Sequence, residues 1–381
     1  MLFVLPYCGY SLDIKVGLFN NFTIEKYVFS IVEGNYCMVI DSTYFFEVKT
    51  GDIFYFTLVN NLIHISSGNE QIGSCNYISF NAKDIDGIFT LRPVDPAMKT
   101  RTYDGDCNLF IDINRIQAVN KLDLEKYVAG VVVAEGGHEA ESEFYKTQAI
   151  LCRTYALKNM EKYAYAGYNL CDDVSCQAYH GRCDNTVIIE ATRQTNGLVV
   201  VGPDSTLITA AFHSNSGGCT MNSKDLWLSD LPYLQSVDDP FSVNQRNSSW
   251  QKTIDPNDWR NYLEKMGVAG AGNLPISQLI FFQNTRQRYY SVNGFMVELK
   301  TIRSDWNLKS TYFSIVPARD KLVIKGKGYG HGVGLSQEGA MNMARQGYDY
   351  KRIINFYYKN VNIVHYINQS DLISDNYLLK K

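Results

Sequence analysis

No stretch of this chain approaches the run of about 20 nonpolar residues that a membrane-spanning helix needs. The start, MLFVLPYCGYS, is apolar but short, and it lacks the basic residues that open a secretion signal. Residues 1–11 therefore read as the tail of a signal whose beginning lies upstream. Tyr7 precedes Cys8 where lipid attachment favours a small residue, so Cys8 is a poor anchor. No long basic run is present and the net charge is only −3, which argues against nucleic acid as the main partner. Internal repeats and low-complexity tracts are absent, and tryptophan is scarce, with 4 copies. An even cysteine count is missing too: there are nine, so at least one stays unpaired or several share a metal.

What is present is an ordinary globular composition, 45% hydrophobic and 20% charged. At 381 residues the chain can form two or three units with a sizeable core. Its 27 Tyr and 19 Phe suit sugar rings, but most of them should fill β-rich cores. Short runs such as YVFSIVEG and YCMVID, separated by Gly, Asn and Asp turns, make 12–118 a β-rich N-terminal unit. The KTGD at 49–52 fits a hairpin turn. A second unit runs over 119–365 with an insert at about 241–320, and 366–381 forms a tail. Helices are expected over 143–162 (with Ser142 a possible N-cap), 185–195, 255–266, 335–345 and 350–358; strands are expected over 197–201 and 206–212. The expected class is α+β: a mixed-strand catalytic core with several helices, plus the β-rich unit.

The richest stretch is YVAGVVVAEGGHEAESEFYKTQAILCRTYAL, 127–157. It sets Glu135 at the end of an apolar run, where partial desolvation would raise its pKa toward the range of a general acid. The plain alternative is a helix-capping or solvated glutamate. Glu139, Glu141 and Glu143 read as a solvated face matched to a helix start. Gln148, Arg153 and Tyr155 follow on a helix; Arg153 either touches substrate or pairs with a structural acid. Further on, FHSNSGGCT (212–220) carries His213, Ser214 and Ser216 before two glycines that let backbone approach a ligand. The alternative there is a tight turn with a buried histidine. GYGHGVGLSQEGAMNMA (328–344) sets Gly330 and His331 among glycines, with Ser336 and Gln337 opening a helix whose free N–H groups face a polar ligand. Neither histidine sits with a nucleophile elbow, so a Ser/His pair is set aside. Cys171, Cys176, His180 and Cys183 are dense enough for zinc, and equally for a disulfide in an oxidising compartment.

The three blocks, in this order, resemble the stage II sporulation protein D (SpoIID) family over about 123–240 and 325–365. The resemblance implies a lytic transglycosylase of the bacterial cell wall, which cleaves the N-acetylmuramic acid–N-acetylglucosamine bond without adding water. It implies one catalytic carboxyl, by position Glu135, with the remaining candidates contacting substrate in a cleft between the three blocks. Gly136 and Gly137 stand where the family usually has a bulky residue. Some members hold zinc on a Cys and a following His; here Cys171 is present, but Ser175 takes the histidine's place, and either Cys176 or His180 would be the substitute ligand. No cofactor is needed for the chemistry itself, so any zinc would be structural. Expected partners are peptidoglycan glycan strands and, under the enhancer role, a cell-wall amidase, on the outer side of the membrane. The competing roles are a non-catalytic wall-binding enhancer of an N-acetylmuramoyl-L-alanine amidase, or a general carbohydrate-binding scaffold.

Overall fold

The computed structural model describes residues 12–84, 87–227 and 229–368. The expected signal remnant and most of the expected tail lie outside them. Among the described residues there are eight α-helices and twenty-two strands, the strands lying in several sheets of mixed pairing, so the α+β class holds. Among the described residues no helix is long and apolar enough to cross a membrane. The chain divides into two compact units. The first takes residues up to 139 together with 148–198; the second takes 140–147 and 199–368.

In the first unit, alternation builds two antiparallel-rich sheets of seven and six strands. Tyr27, Phe29 and Ile31 of Lys26–Glu33 point inward, as do Tyr36, Met38 and Ile40 of Asn35–Ile40. Phe80 of the seven-stranded sheet meets Phe29 of the six-stranded one with ring centroids 4.0 Å apart, which locates the core between the sheets. The KTGD turn forms, with the Asp52 N–H donating to Lys49 O at 3.0 Å, but it is not a hairpin turn. Tyr44–Lys49 pairs in one sheet and Ile53–Val59 in the other, so the turn carries the chain between layers. A local turn motif carries no information about which sheet receives the next strand.

Helix α1 (Leu124–Gly136) follows, capped by Asp123, whose carboxylate accepts from the Glu125 and Lys126 N–H groups. Its valine run has the composition of a strand; the cap and burial on nearly every side override that propensity. Gly130 permits the close approach, since a Cβ there would lie 2.5 Å from Gly181 O and 2.6 Å from the Tyr179 ring. Helix α2 is Ser142–Lys158, and α3 is Thr186–Gln194 with Asn185 as N-cap.

The second unit has its own core. Ser249–Ile254, Phe313–Ala318 and Lys321–Lys327 form a three-stranded sheet under the helix Pro256–Lys265. Trp259 and Leu263 of that helix pack with Ile302, Ile315 and Ile324, so the expected insert is a folded element with an interior. The strand expected over 206–212 shrinks to Phe212–His213, with one bridge between Val201 and Leu207. Leu335 and Ser336, expected to start a helix, instead form a short strand parallel to Phe212–His213. The helix begins at Gln337 with Ser336 as its cap.

Candidate active site

Glu135 lies in the last turn of α1, within the first unit. It is half-buried, and its Oε1 accepts the Ala178 N–H at 2.8 Å. Burial raises its carboxyl pKa above the usual range, opposed by that hydrogen bond. The helix C-terminus works in the same sense as burial, because its partial negative charge disfavours a carboxylate.

The surroundings of Glu135 are soft and incompletely hydrogen-bonded. The Cys152 thiol is fully buried, and Glu135 is among the groups that raise its pKa after desolvation. Gln148, also fully buried, donates from Nε2 to Cys152 Sγ at 3.5 Å. Gln148 Oε1 and the Tyr127 hydroxyl have no hydrogen-bond partner among the described residues, while the Gln177 side chain interacts with the Cys152 thiol. Buried polar atoms are nearly always satisfied in a folded core, so this cluster beside a shifted carboxyl makes the region a candidate site. Gln177 and Tyr127 were not singled out from the sequence. Gln177 precedes the residue that hydrogen-bonds Glu135, but that register follows from the chain's return to α1.

Arg153 is a correction to its substrate-binding assignment. It is fully buried, Nε and Nη2 grip the two oxygens of Glu125 at 2.7 and 2.5 Å, and Nη1 donates to Leu198 O. The structural-acid alternative is the one realised. Gln148 is fully buried. The Tyr155 hydroxyl is half-buried and reaches Ser175 O at 3.5 Å.

The Cys171 thiol contacts Cys176 Sγ at 2.7 Å, and the Cys171 N–H points at the same sulfur at 3.2 Å. These contacts hold Cys176 below the usual thiol range against the effect of burial. Cys183 Sγ instead faces Asn185 O, and His180 faces Arg101 and Asp172. Among the described residues no three His, Cys, Asp or Glu side chains converge on one point, so the donor set does not fit a four-coordinate structural zinc.

In the second unit the two glycine-rich blocks are brought together. Asn215 and Tyr329 exchange both backbone hydrogen bonds, at 3.0 and 2.8 Å, and the Met221 N–H donates to Gly332 O. Their glycines are sterically required. A Cβ on Gly334 would sit 2.1 Å from Ala211 O, and one on Gly328 2.5 Å from Asn215 O, both at positive φ. The His213 and His331 rings lie 5.3 Å apart, and Trp227 lies 5.7 Å from His331. The His213 ring is buried, with Nδ1 at 3.1 Å from Val333 O. Desolvation pushes His213 well below the usual imidazole range and His331 down to about 4, so both are neutral at physiological pH.

Ser216 and Ser336 are interior supports rather than surface contacts. Ser216 Oγ donates to Asp239 at 2.7 Å and its N–H to Ser336 Oγ at 3.1 Å. Gln337 is also buried, while Ser214 and Gly330 are half-buried. Arg286 was missed entirely. Its guanidinium donates to Cys219 O and Ser216 O, each at 2.7 Å, and desolvation lowers its pKa to about 10. No short-range pattern marks it, because it reaches the loops from some 70 residues away.

Comparison with known proteins agrees with the motifs. The family model described as "Stage II sporulation protein" (SpoIID) matches residues 112–201, which contain Glu135. Stage II sporulation protein D of Bacillus subtilis is 28% identical over 282 residues, covering 70% of this chain and 80% of that protein. Its counterpart in Bacillus amyloliquefaciens is 29% identical over 69% of this chain and 79% of its own length. A Bacillus subtilis protein named "Amidase enhancer" is 28% identical over 62% of this chain and 40% of that protein. Residues 112–201 thus match the SpoIID family model, and most of the chain is similar to stage II sporulation protein D.

Proposed function

We propose that this protein is a peptidoglycan lytic transglycosylase acting outside the cytoplasm, with Glu135 as its acid and base. The observation that carries the reading is the half-buried Glu135 carboxyl, held protonated to higher pH than a solvated glutamate. Ordinary glycosidases need two carboxyl groups. One is enough when the nucleophile belongs to the substrate. Glu135 protonates the glycosidic oxygen as the bond to muramoyl C1 breaks; the resulting carboxylate then takes the proton from the C6 hydroxyl as the C6 oxygen bonds to C1. The products are a 1,6-anhydromuramoyl end and a free N-acetylglucosamine 4-hydroxyl, and Glu135 ends protonated as it began. Ring closure within one sugar has the advantage of high effective concentration.

The test is mass spectrometry of glycan strands, intact and amidase-stripped, incubated with wild type and Glu135→Ala. Anhydromuramoyl ends from wild type alone support the reading, and cleavage by the variant overturns it. The relative named as an amidase enhancer favours one second reading, in which the protein binds wall glycan and stimulates an amidase without cleaving. Under that reading neither protein cleaves, and both stimulate a purified wall amidase equally.

A further inference from the structure

In the first unit, a hollow of about 260 Å³ is lined by the turn Phe19–Phe22, by Arg101, and by residues of the segment 172–180 that include Ala178 and His180. Ala178 also donates its N–H to Glu135, so the hollow lies within one residue of the candidate acid. The turn that forms one wall is built with care. Phe19 adopts φ +54°, a costly conformation for a residue with a large side chain. The buried Asp172 carboxylate holds it there, accepting from the Phe19 N–H at 2.9 Å, the Asn20 N–H at 3.3 Å and Arg101 Nη1 at 2.8 Å. Arg101 in turn covers the Phe19 ring at 4.5 Å. The Tyr168 hydroxyl fixes the Asn20 side chain at 2.7 Å. A strained turn held by five contacts, two of them from a single buried carboxylate to its backbone, has a defined shape to present.

What it presents is an exposed aromatic ring, Phe22, and the exposed side chains of Asn21 and His180, neither of which hydrogen-bonds to any described residue. A flat apolar face beside a carboxamide and an imidazole suits a pyranose carrying an acetamido group. Such a ring has a C–H face to lie on the aromatic, and hydroxyl and amide groups for the polar pair. The volume falls a little below the ~300–1,000 Å³ of sites for drug-sized ligands, which favours one ring over a longer segment.

We propose that this hollow is a saccharide subsite, taking one N-acetylhexosamine ring of the strand next to the bond that Glu135 cleaves. It gives the N-terminal β-rich residues a direct part in substrate binding. The inference rests on the glycan-strand reading above, and its test separates the two. Binding of end-labelled, amidase-stripped glycan strands is measured by fluorescence anisotropy with Glu135→Gln protein, which does not consume them. The same is done after adding Phe22→Ala and His180→Ala, and in parallel after adding Ile113→Ala at an exposed site outside the hollow. Melting curves establish that all are folded. The subsite predicts ~3–10-fold weaker binding with the first pair, the scale of a lost ring contact and a hydrogen bond, and no change with Ile113→Ala. Equal binding by all variants overturns the subsite and leaves the glycan reading standing. No binding even by the Glu135→Gln parent overturns the glycan reading and the subsite with it.

Discussion

The Glu135 turn and the paired glycine loops are both polar and buried, yet they are finished differently. In the loops the backbone-supporting groups are paired: Ser216 has Asp239 and Ser242, Gly218 N–H has Ser242, and Asn215 has Glu338, while His213 Nε2 and Arg286 Nη1 keep no partner among the described residues. Near Glu135, Gln148 Oε1 and the Tyr127 hydroxyl keep no partner among the described residues, and the carboxyl is pushed toward its neutral form. A satisfied network fixes shape, while a poorly satisfied one leaves a group poised to exchange protons. What separates the two regions is the carboxyl: a titratable acid shifted toward its neutral form lies in the first, and two neutral histidines lie in the second.

That contrast can be broken most forcefully at Glu135. Glu135→Gln should lower glycan cleavage by ~10²–10⁴-fold in a product-release assay, with the fold intact. Next in size is Arg153→Met, which leaves Glu125 facing an apolar side chain. It should cost about 3–5 kcal/mol in denaturant unfolding, while cleavage per folded molecule is kept, since Arg153 supports the fold. Gly334→Ala, with a Cβ that meets Ala211 O, should destabilise by at least ~3 kcal/mol. Ser216→Ala should cost about 1–3 kcal/mol, because the buried Asp239 loses a donor. If Ser216→Ala instead abolished cleavage without loss of stability, the architectural role of the loops would be wrong.

The smallest effect is in pH dependence. With its folded pKa raised, Glu135 adds stability fully present below the unfolded value of about 4.3, and that stability is lost as pH rises through the folded value. At neutral pH the wild type therefore holds a partly buried carboxylate at a cost. Glu135→Gln should melt slightly higher than wild type at pH 7, and the gap should close in acid. Cleavage should fall on the alkaline side as Glu135 ionises. His213 and His331, already neutral, should add no inflection between pH 6 and 7.

Much of this was legible in the sequence because the signals are local. The three motifs pointed to the family, and alternation and capping residues located the β-rich unit, α3 and the helix capped by Asp255. Helix α1 was not legible, because a valine run carries strand propensity and only packing against Tyr179 and Gly181 decides otherwise. The fate of Arg153 hung on Glu125, 28 residues earlier, and the hollow joins residues about 150 apart in the chain. Contacts at such separations leave no periodic trace.

The most direct test of a single carboxyl serving as acid and base is cleavage in ¹⁸O-labelled water, with mass spectrometry of the new muramoyl ends. The account predicts anhydro ends free of the label, since the C6 hydroxyl and not water attacks. Label at the new reducing end would mean hydrolysis, which needs a second catalytic carboxylate and contradicts the assignment of both roles to Glu135.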